Sequence, residues 1–271
     1  MPYRVTPKNL VLDLFRVAPE ASPAPIAGLV ELGQTFGFAA STMRATVSRL
    51  TAAGLLESDL RGWHRPAATT DPFRAAIESW RKGEKRVRSW NGDWLALAPG
   101  PWARRAEQRR TERAVRYLGF RPALGRLWLR PDNLALARSA LAARLVAVGA
   151  AETGAFFTAR DFAAERVAAW REDLWDAPAL EAAYARSLHA LERCLSRVEA
   201  LPLARALVET FVHGGEAIRL LALDPLLPAE LVDTALRGEL FARMAEYDRA
   251  GRARWHERFS IGSFAAREAL Q

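Results

Sequence analysis

The sequence predicts a mostly helical α+β protein in three parts: a small helical head closed by a β-hairpin, a middle region of alternating strands and helices, and a helical C-terminal region. Three observations predict this. Residues 40–53 form an amphipathic helix-length run that Gly54 stops, and two short strand-like runs follow it. Residues 90–160 alternate apolar strand-like runs with helical periodicity. From residue 161 onward, apolar residues recur at three- and four-residue spacing. The implied boundaries are residues 1–70 for the head, 71–89 for a linker helix, 90–160 for the middle domain and 161–271 for the helical domain.

The head is read in order. Residues 7–17 supply Leu10, Val11, Leu14 and Phe15 to one helical face. Pro25 can open a second helix, Ile26, Leu29, Val30 and Phe36 line it, and Gly37 ends it. A tight turn then leads to the helix at Ala40. Advancing 100° per residue places Ala40, Met43, Val47 and Leu50 on one side. Ser41, Thr42, Ala45, Ser48, Arg49 and Ala52 fall on the other. That outer face carries small residues, hydroxyls and arginine, and no acid. A solvated helix ordinarily mixes both charge signs. A helix in a DNA groove needs small residues for close approach and Arg, Ser or Thr to reach base edges and phosphates. Residues 55–58 and 63–66 pair as strands around Asp59-Leu60-Arg61-Gly62. The pattern is a winged helix-turn-helix. Thr42, Ala45, Ser48 and Arg49 would face bases, with Ser41 and Arg44 at the phosphate edges. Arg61, Trp63, His64 and Arg65 on the wing would meet backbone or the neighbouring minor groove. The competing reading is a three-helix subdomain for protein contacts, which acids on the outer face would mark.

Residues 69–88 read as a helix that Asp71 caps and Pro72 opens, with a basic end of Arg81, Lys82, Lys85, Arg86 and Arg88. Next come a strand at 93–98, a helix at 101–118, one or two strands within 120–129, a helix at 133–148 and a strand at 155–158. That order predicts a ferredoxin-like module. Tyr184, Leu188, Leu191, Leu195 and Val198 keep helical spacing beyond it. Residues 203–223 form another helix, Asp-Pro-Leu-Leu-Pro at 224–228 is a stiff connection, and residues 230–250 continue helical with a break at Gly238.

The 271 residues carry a formal net charge of +8. Residues 1–118 hold 19 Lys/Arg against 11 Asp/Glu, whereas residues 119–271 hold 20 of each. A polyanion-binding module joined to a neutral one shows this sidedness. Coding bias explains why 36 of the 39 bases are arginine, but not why the excess sits at one end. No run of about 18 apolar residues exists for a membrane span. The opening MPYRVTPKNL lacks the apolar stretch of a signal peptide, and the single Cys194 cannot form an internal disulfide. Both predict a cytoplasmic protein.

Enzyme signatures are missing from the pattern. The histidines, His64, His189, His213 and His256, include no i, i+4 pair, so no zinc motif forms. No nucleophile elbow, P-loop or dinucleotide fingerprint occurs. His213-Gly214-Gly215-Glu216 lies in a helical run, and Cys194 reads as a small buried apolar group. The alternative function is a metal-dependent nuclease, or another enzyme, with an accessory winged helix. The middle domain is similar in fold to small CRISPR-associated nucleases, which hold a metal with an aspartate ending the first strand. Here that strand ends in Pro99-Gly100, and Asp93 lies at its start. Trp102 and Trp128, with Arg130 two residues after the second, are candidates for an aromatic-plus-phosphate pocket.

Four stretches together resemble the repressors of phenylacetate degradation, the PaaX-like family. They are MRATVSRLTAAGLL, WNGDWLALAPG, LGFRPALGRLWLRP and LALDPLLPAELV. The resemblance spans nearly the full length. It implies a dimeric bacterial transcription repressor with a winged-helix head, a ferredoxin-like middle and a helical C-terminal domain, bound to a double-stranded DNA operator. It implies no catalytic residue and no metal, and a small-molecule effector of the aryl-acyl-CoA class, such as phenylacetyl-CoA. Arg126, Trp128 and Arg130 are the candidate effector residues.

Overall fold

The computed structural model describes residues 4–18, 21–59, 61–67, 79–100, 104–147 and 154–260. It is a mixed α+β protein with two small antiparallel sheets. The chain forms two compact units. The first combines Met1–Thr70, Ala190–Glu216 and Met244–Gln271, and the second combines Asp71–His189 and Ala217–Arg243. The C-terminal region read from sequence as one helical domain is therefore divided between them.

The first unit opens with α1 (Pro7–Val17), which Thr6 and Asn9 cap reciprocally through side chain and backbone. Strand β1 (Ala24–Pro25) leads into α2 (Ile26–Thr35), where Pro25 takes the N-cap position rather than the first turn. Gly37, at φ 81°, turns the chain out of α2 and Gly54, at φ 67°, turns it out of α3 (Ala40–Ala52). Strands β2 (Leu56–Ser58) and β3 (Trp63–Pro66) follow, and the sheet runs β1-β3-β2. This is the topology of a winged helix-turn-helix. Gly33 lets α2 and α3 meet closely, because a Cβ there would stand 2.6 Å from the Met43 Sδ. Leu10, Leu14, Leu29, Met43, Val47, Leu50 and Leu56 share one core with Leu207, Phe211 and Trp255. The last three come from α8 (Leu203–Ala222) and α9 (Thr234–Ser260), which the sequence pattern does not assign to the head. Trp255 Nε1 donates to Thr210 Oγ1 at 3.2 Å, and Arg258 pairs with Glu31 at 2.7 Å.

In the second unit, β4 (Trp94–Pro99), α4 (Arg105–Tyr117), β5 (Arg121–Leu124), β6 (Leu127–Pro131), α5 (Arg138–Ala147) and β7 (Gly154–Ala159) follow in a βαββαβ order. All neighbours are antiparallel in the order β5-β6-β4-β7, which is ferredoxin-like topology. Leu95, Trp128 and Phe120 pack under Ala114 and Val115 of α4 and Leu141 and Leu145 of α5. Trp94 meets Trp90, Phe162, Trp170 and Trp175, all within 6.1 Å between ring centres. Helices α6 (Ala164–Asp173) and α7 (Ala177–Leu195) follow.

Several expectations need correction. The helix expected at 69–88 is, over Ser79–Arg86, a 3₁₀ segment kinked at Gly83 with φ 52°. Asp71, Pro72 and the rest of 68–78 lie outside the described residues, as do 101–103 with Trp102. The helix expected from 133 begins at Arg138, because Leu134 bridges to Val87 and buried Asn133 donates its amide to Leu226 O at 2.7 Å. Gly238 does not break α9, which runs unbroken past it. The Asp224–Pro228 connection is buried along its whole length. Its carbonyls are held from the side: Arg130 Nη2 donates to Pro225 O at 3.3 Å and Arg237 Nη1 to Leu227 O at 2.7 Å. Buried carbonyls require donors, and here two arginines and Asn133 supply them.

Candidate nucleic-acid interface

Helix α3 is anchored from below and open above. Met43, Thr46, Val47 and Leu50 are buried, while Ser41, Thr42, Arg44, Ala45, Ser48, Arg49 and Ala52 are exposed. The exposed face therefore carries the predicted set with no acid. Arg49 lies back along the helix, with Nε donating to Ala45 O at 3.2 Å and Nη2 to Thr46 Oγ1 at 3.3 Å. These are long hydrogen bonds that a stronger acceptor can replace.

The wing is shaped by Asp59. Its Oδ1 accepts from the backbone N–H groups of Arg61 and Trp63, both at 2.9 Å, which closes the turn. Arg61 projects exposed from that turn and Trp63 is half-buried. Arg65 faces Glu57 across the hairpin and pairs with it at 2.8 Å. Both partners are exposed, so the pair is weak and open to competition by phosphate. His64 is the correction. It sits between Ala24 and Ser58 in the middle of the sheet, is buried, and its Nδ1 has no hydrogen-bond partner. Burial pushes its pKa down, against a smaller upward pull from Asp59. It supports the wing from beneath and presents no face to a ligand.

The three residues expected to line one effector pocket are each engaged by different partners. Arg126 Nη2 caps Gly100 O at 2.9 Å from the exposed β5–β6 turn. Trp128 belongs to the sheet core, with the Arg116 guanidinium 5.0 Å from its ring centre. Arg130 is 2 % exposed and donates to Leu118 O, Pro131 O, Asn133 Oδ1 and Pro225 O. Burial pulls its pKa down to about 9, with Asp132 pulling the other way, so it remains a buried cation at neutral pH.

Arg130 nevertheless forms one wall of a cavity of about 230 Å³ that sequence reasoning missed. Lys82, Lys85, Arg86, Arg144 and Asp224 also line it, and Leu118, Leu134, Leu136 and Leu226 supply apolar surface. Lys82, Lys85 and Arg144 are exposed and make no ion pair among the described residues. Arg86 Nη2 donates to Leu221 O at 3.1 Å, and burial lowers its pKa. Asp224 is fully buried; it accepts from the Tyr184 hydroxyl and from Leu226 N, and lies 3.9 Å from Arg237. Burial raises its pKa, and Arg237 opposes the rise. Arg237 itself grips Glu84 with two hydrogen bonds at 2.8 and 2.9 Å. Its trace in the sequence is the basic run after residue 80, the end of the helix expected at 69–88. Of that run, Arg88 is tied to Asp132 at 2.7 Å and Arg81 stacks on Trp80.

Asp93, the carboxylate weighed for a nuclease, is engaged structurally. Arg160 donates to it at 2.7 Å, which with Asn91 holds its carboxyl below the usual range. Among the described residues, no three His, Cys, Asp or Glu side chains gather as a metal site, and no helix is long and apolar enough to cross a membrane.

Residues 6–65, the segment from α1 to β3, match the family model described as PaaX-like protein. The chain is also similar to a solved structure, the uncharacterized protein Rv0674 from Mycobacterium tuberculosis. The two are 25 % identical with a TM-score of 0.63, over 93 % of this chain and 98 % of that one. No curated protein sequence matches the chain.

Proposed function

We propose that the protein is a DNA-binding transcription regulator, acting as a repressor of an aromatic-acid catabolic operon of the phenylacetate type. The observation that carries this reading is the outer face of α3, where Ser41, Thr42, Arg44, Ala45, Ser48 and Arg49 are all exposed without an intervening acid. The helix enters a major groove, and Arg61, Arg65 and the exposed edge of Trp63 meet the backbone. The PaaX-like match over the same residues supports the regulatory role. A symmetric homodimer would present two such helices to half-sites about 34 Å, one helical turn, or a multiple apart.

The test is a division of labour. Arg49→Ala should weaken binding to a duplex enriched from a randomised pool by about 1–3 kcal/mol and leave random duplex binding nearly unchanged. Arg61→Ala should weaken both alike and flatten the salt dependence. Equal effects of the two substitutions on both duplexes would refute the assignment. Sedimentation and footprinting check the dimer, and a monomer protecting one half-site would count against it.

Release by an acyl-CoA is the second element of the proposal. The basic cavity supports it: Lys82, Lys85 and Arg144 suit phosphates and the leucines suit an acyl group. Its volume is below the roughly 300–1,000 Å³ usual for ligand pockets, so it would admit one end of such a thioester. Calorimetry with phenylacetyl-CoA on the wild type and on Lys82→Gln/Lys85→Gln tests this. Undiminished binding by the variant would remove the cavity from the proposal.

A further inference from the structure

Helix α4 carries a row of arginines, of which Arg116 also packs its guanidinium over the Trp128 ring. Arg105, Arg109, Arg113 and Arg116 are exposed at spacings of four, four and three. At 100° per residue they fall within an arc of about 80°, and at 1.5 Å per residue the row is about 16 Å long. The buried residues Thr111, Ala114 and Val115 lie on the opposite side, so the row points directly into solvent. Glu112, at the margin of the row, is half-buried and accepts from Gln108 at 2.9 Å.

Several other arginines of the chain are matched to carboxylates. Arg252 pairs with Asp248, Arg197 and Arg205 with Glu209, and Arg171 with Glu181. On α4, among the described residues, none of the four arginines makes an ion pair. Like charges at i, i+4 repel, and Arg105 also sits at the helix end where the macrodipole disfavours a cation. An external polyanion relieves both penalties. Among the described residues, the face offers no exposed aromatic on which unpaired bases could stack and no apolar stripe that could enter a lipid surface. A regular row of guanidiniums without either feature fits the evenly spaced phosphates of a duplex.

We propose that this face of α4 is a second DNA-binding surface, which grips the phosphate backbone of double-stranded DNA without reading its sequence. The proposal rests on the DNA-binding reading given above and extends it from the head to the middle module. The test uses the full chain and the variant Arg105→Gln/Arg109→Gln/Arg113→Gln, with Arg109→Gln alone as a milder substitution. Affinity for random and pool-enriched duplexes is measured across a salt series. The slope of log K against log salt should flatten by about 0.9 for each lost contact, up to nearly 3 for the triple variant. It should flatten equally on both duplexes, so their affinity ratio stays at the wild-type value. Slopes unchanged in both variants overturn the proposal and leave the α3 reading standing. A flattened slope with no effect of Arg49→Ala overturns the α3 reading alone. A wild type that binds neither duplex, or a row whose loss weakens single-stranded RNA or anionic vesicles but not duplex DNA, overturns the proposal.

Discussion

Replacing Gly33 with alanine sets a helix-propensity gain against a steric cost at one contact. Alanine in a helix is favoured over glycine by roughly 0.5–1 kcal/mol. The added Cβ would stand 2.6 Å from Met43 Sδ and 2.9 Å from its Cε. Met43 is 0 % exposed, with the head core around it, so its side chain has nowhere to swing. Overpacking of this kind costs about 1–3 kcal/mol. The steric cost wins, and Gly33→Ala should destabilise the protein by about 1–2 kcal/mol. Met43→Ala should itself cost about 2–5 kcal/mol, but it removes the clash. In that background Gly33→Ala should become neutral or stabilising by up to about 1 kcal/mol. Urea denaturation of the four proteins gives the cycle, read from midpoints at constant m. The α2–α3 contact also aims the outer face of α3, so Gly33→Ala should weaken the enriched duplex more than a random one. A stabilising effect in the wild type, or the same cost in both backgrounds, would refute the reasoning.

Trp255→Ala should cost about 3–5 kcal/mol and strip hydrogen-exchange protection from α2 and α3, although it lies some two hundred residues from them in sequence. Retained protection there would show that the head holds its core unaided. Arg130→Met should destabilise by about 3–5 kcal/mol, because Leu118 O, Pro225 O and Asn133 lose a buried charged donor together. A loss below about 1 kcal/mol in thermal or urea unfolding would contradict that role. Burial holds the hydroxyls of Tyr184 and Tyr247 far above the usual phenol range. Above pH 10 the unfolded chain then releases protons that the folded chain keeps, so stability falls as pH rises, by about 1.4 kcal/mol per pH unit for each tyrosine. Tyr247→Phe should make the alkaline decline shallower by about 1.4 kcal/mol per pH unit, and an unchanged slope would exclude the assignment.

The head was legible because its signals are local. The stops at Gly37 and Gly54 and the split between Met43, Val47 and Leu50 and the outer face follow from 3.6-residue periodicity alone. His64 was misassigned because residues 63–66 were read as a strand without separating its two faces. Period-two alternation places Trp63 and Arg65 on one side and His64 on the other, which is what the sheet shows. The same period puts Arg126, Trp128 and Arg130 on one face, yet nothing in a strand says which helices cover it. The cavity was hidden for a related reason. Its walls come from the segment near 82–86, from β6 and α5, and from the buried 224–226 stretch, and their meeting depends on tertiary packing. Trp255 carries no mark that separates its role in the head core from that of any helical tryptophan.

That tryptophan also sets a schedule. A ribosome adds residues at about 5–20 per second, so roughly 10–40 s separate the synthesis of residue 70 from that of Trp255. During that interval the nascent helices α1–α3 lack the lid that Leu207, Phe211 and Trp255 will supply. The strand β6 waits in the same way for the carbonyl of Pro225 to accept from Arg130. Neither unit can be finished from the N-terminus forward. A message truncated before Trp255 yields a chain whose head is left with an open apolar flank, a substrate for chaperone or protease rather than a shorter version of the protein.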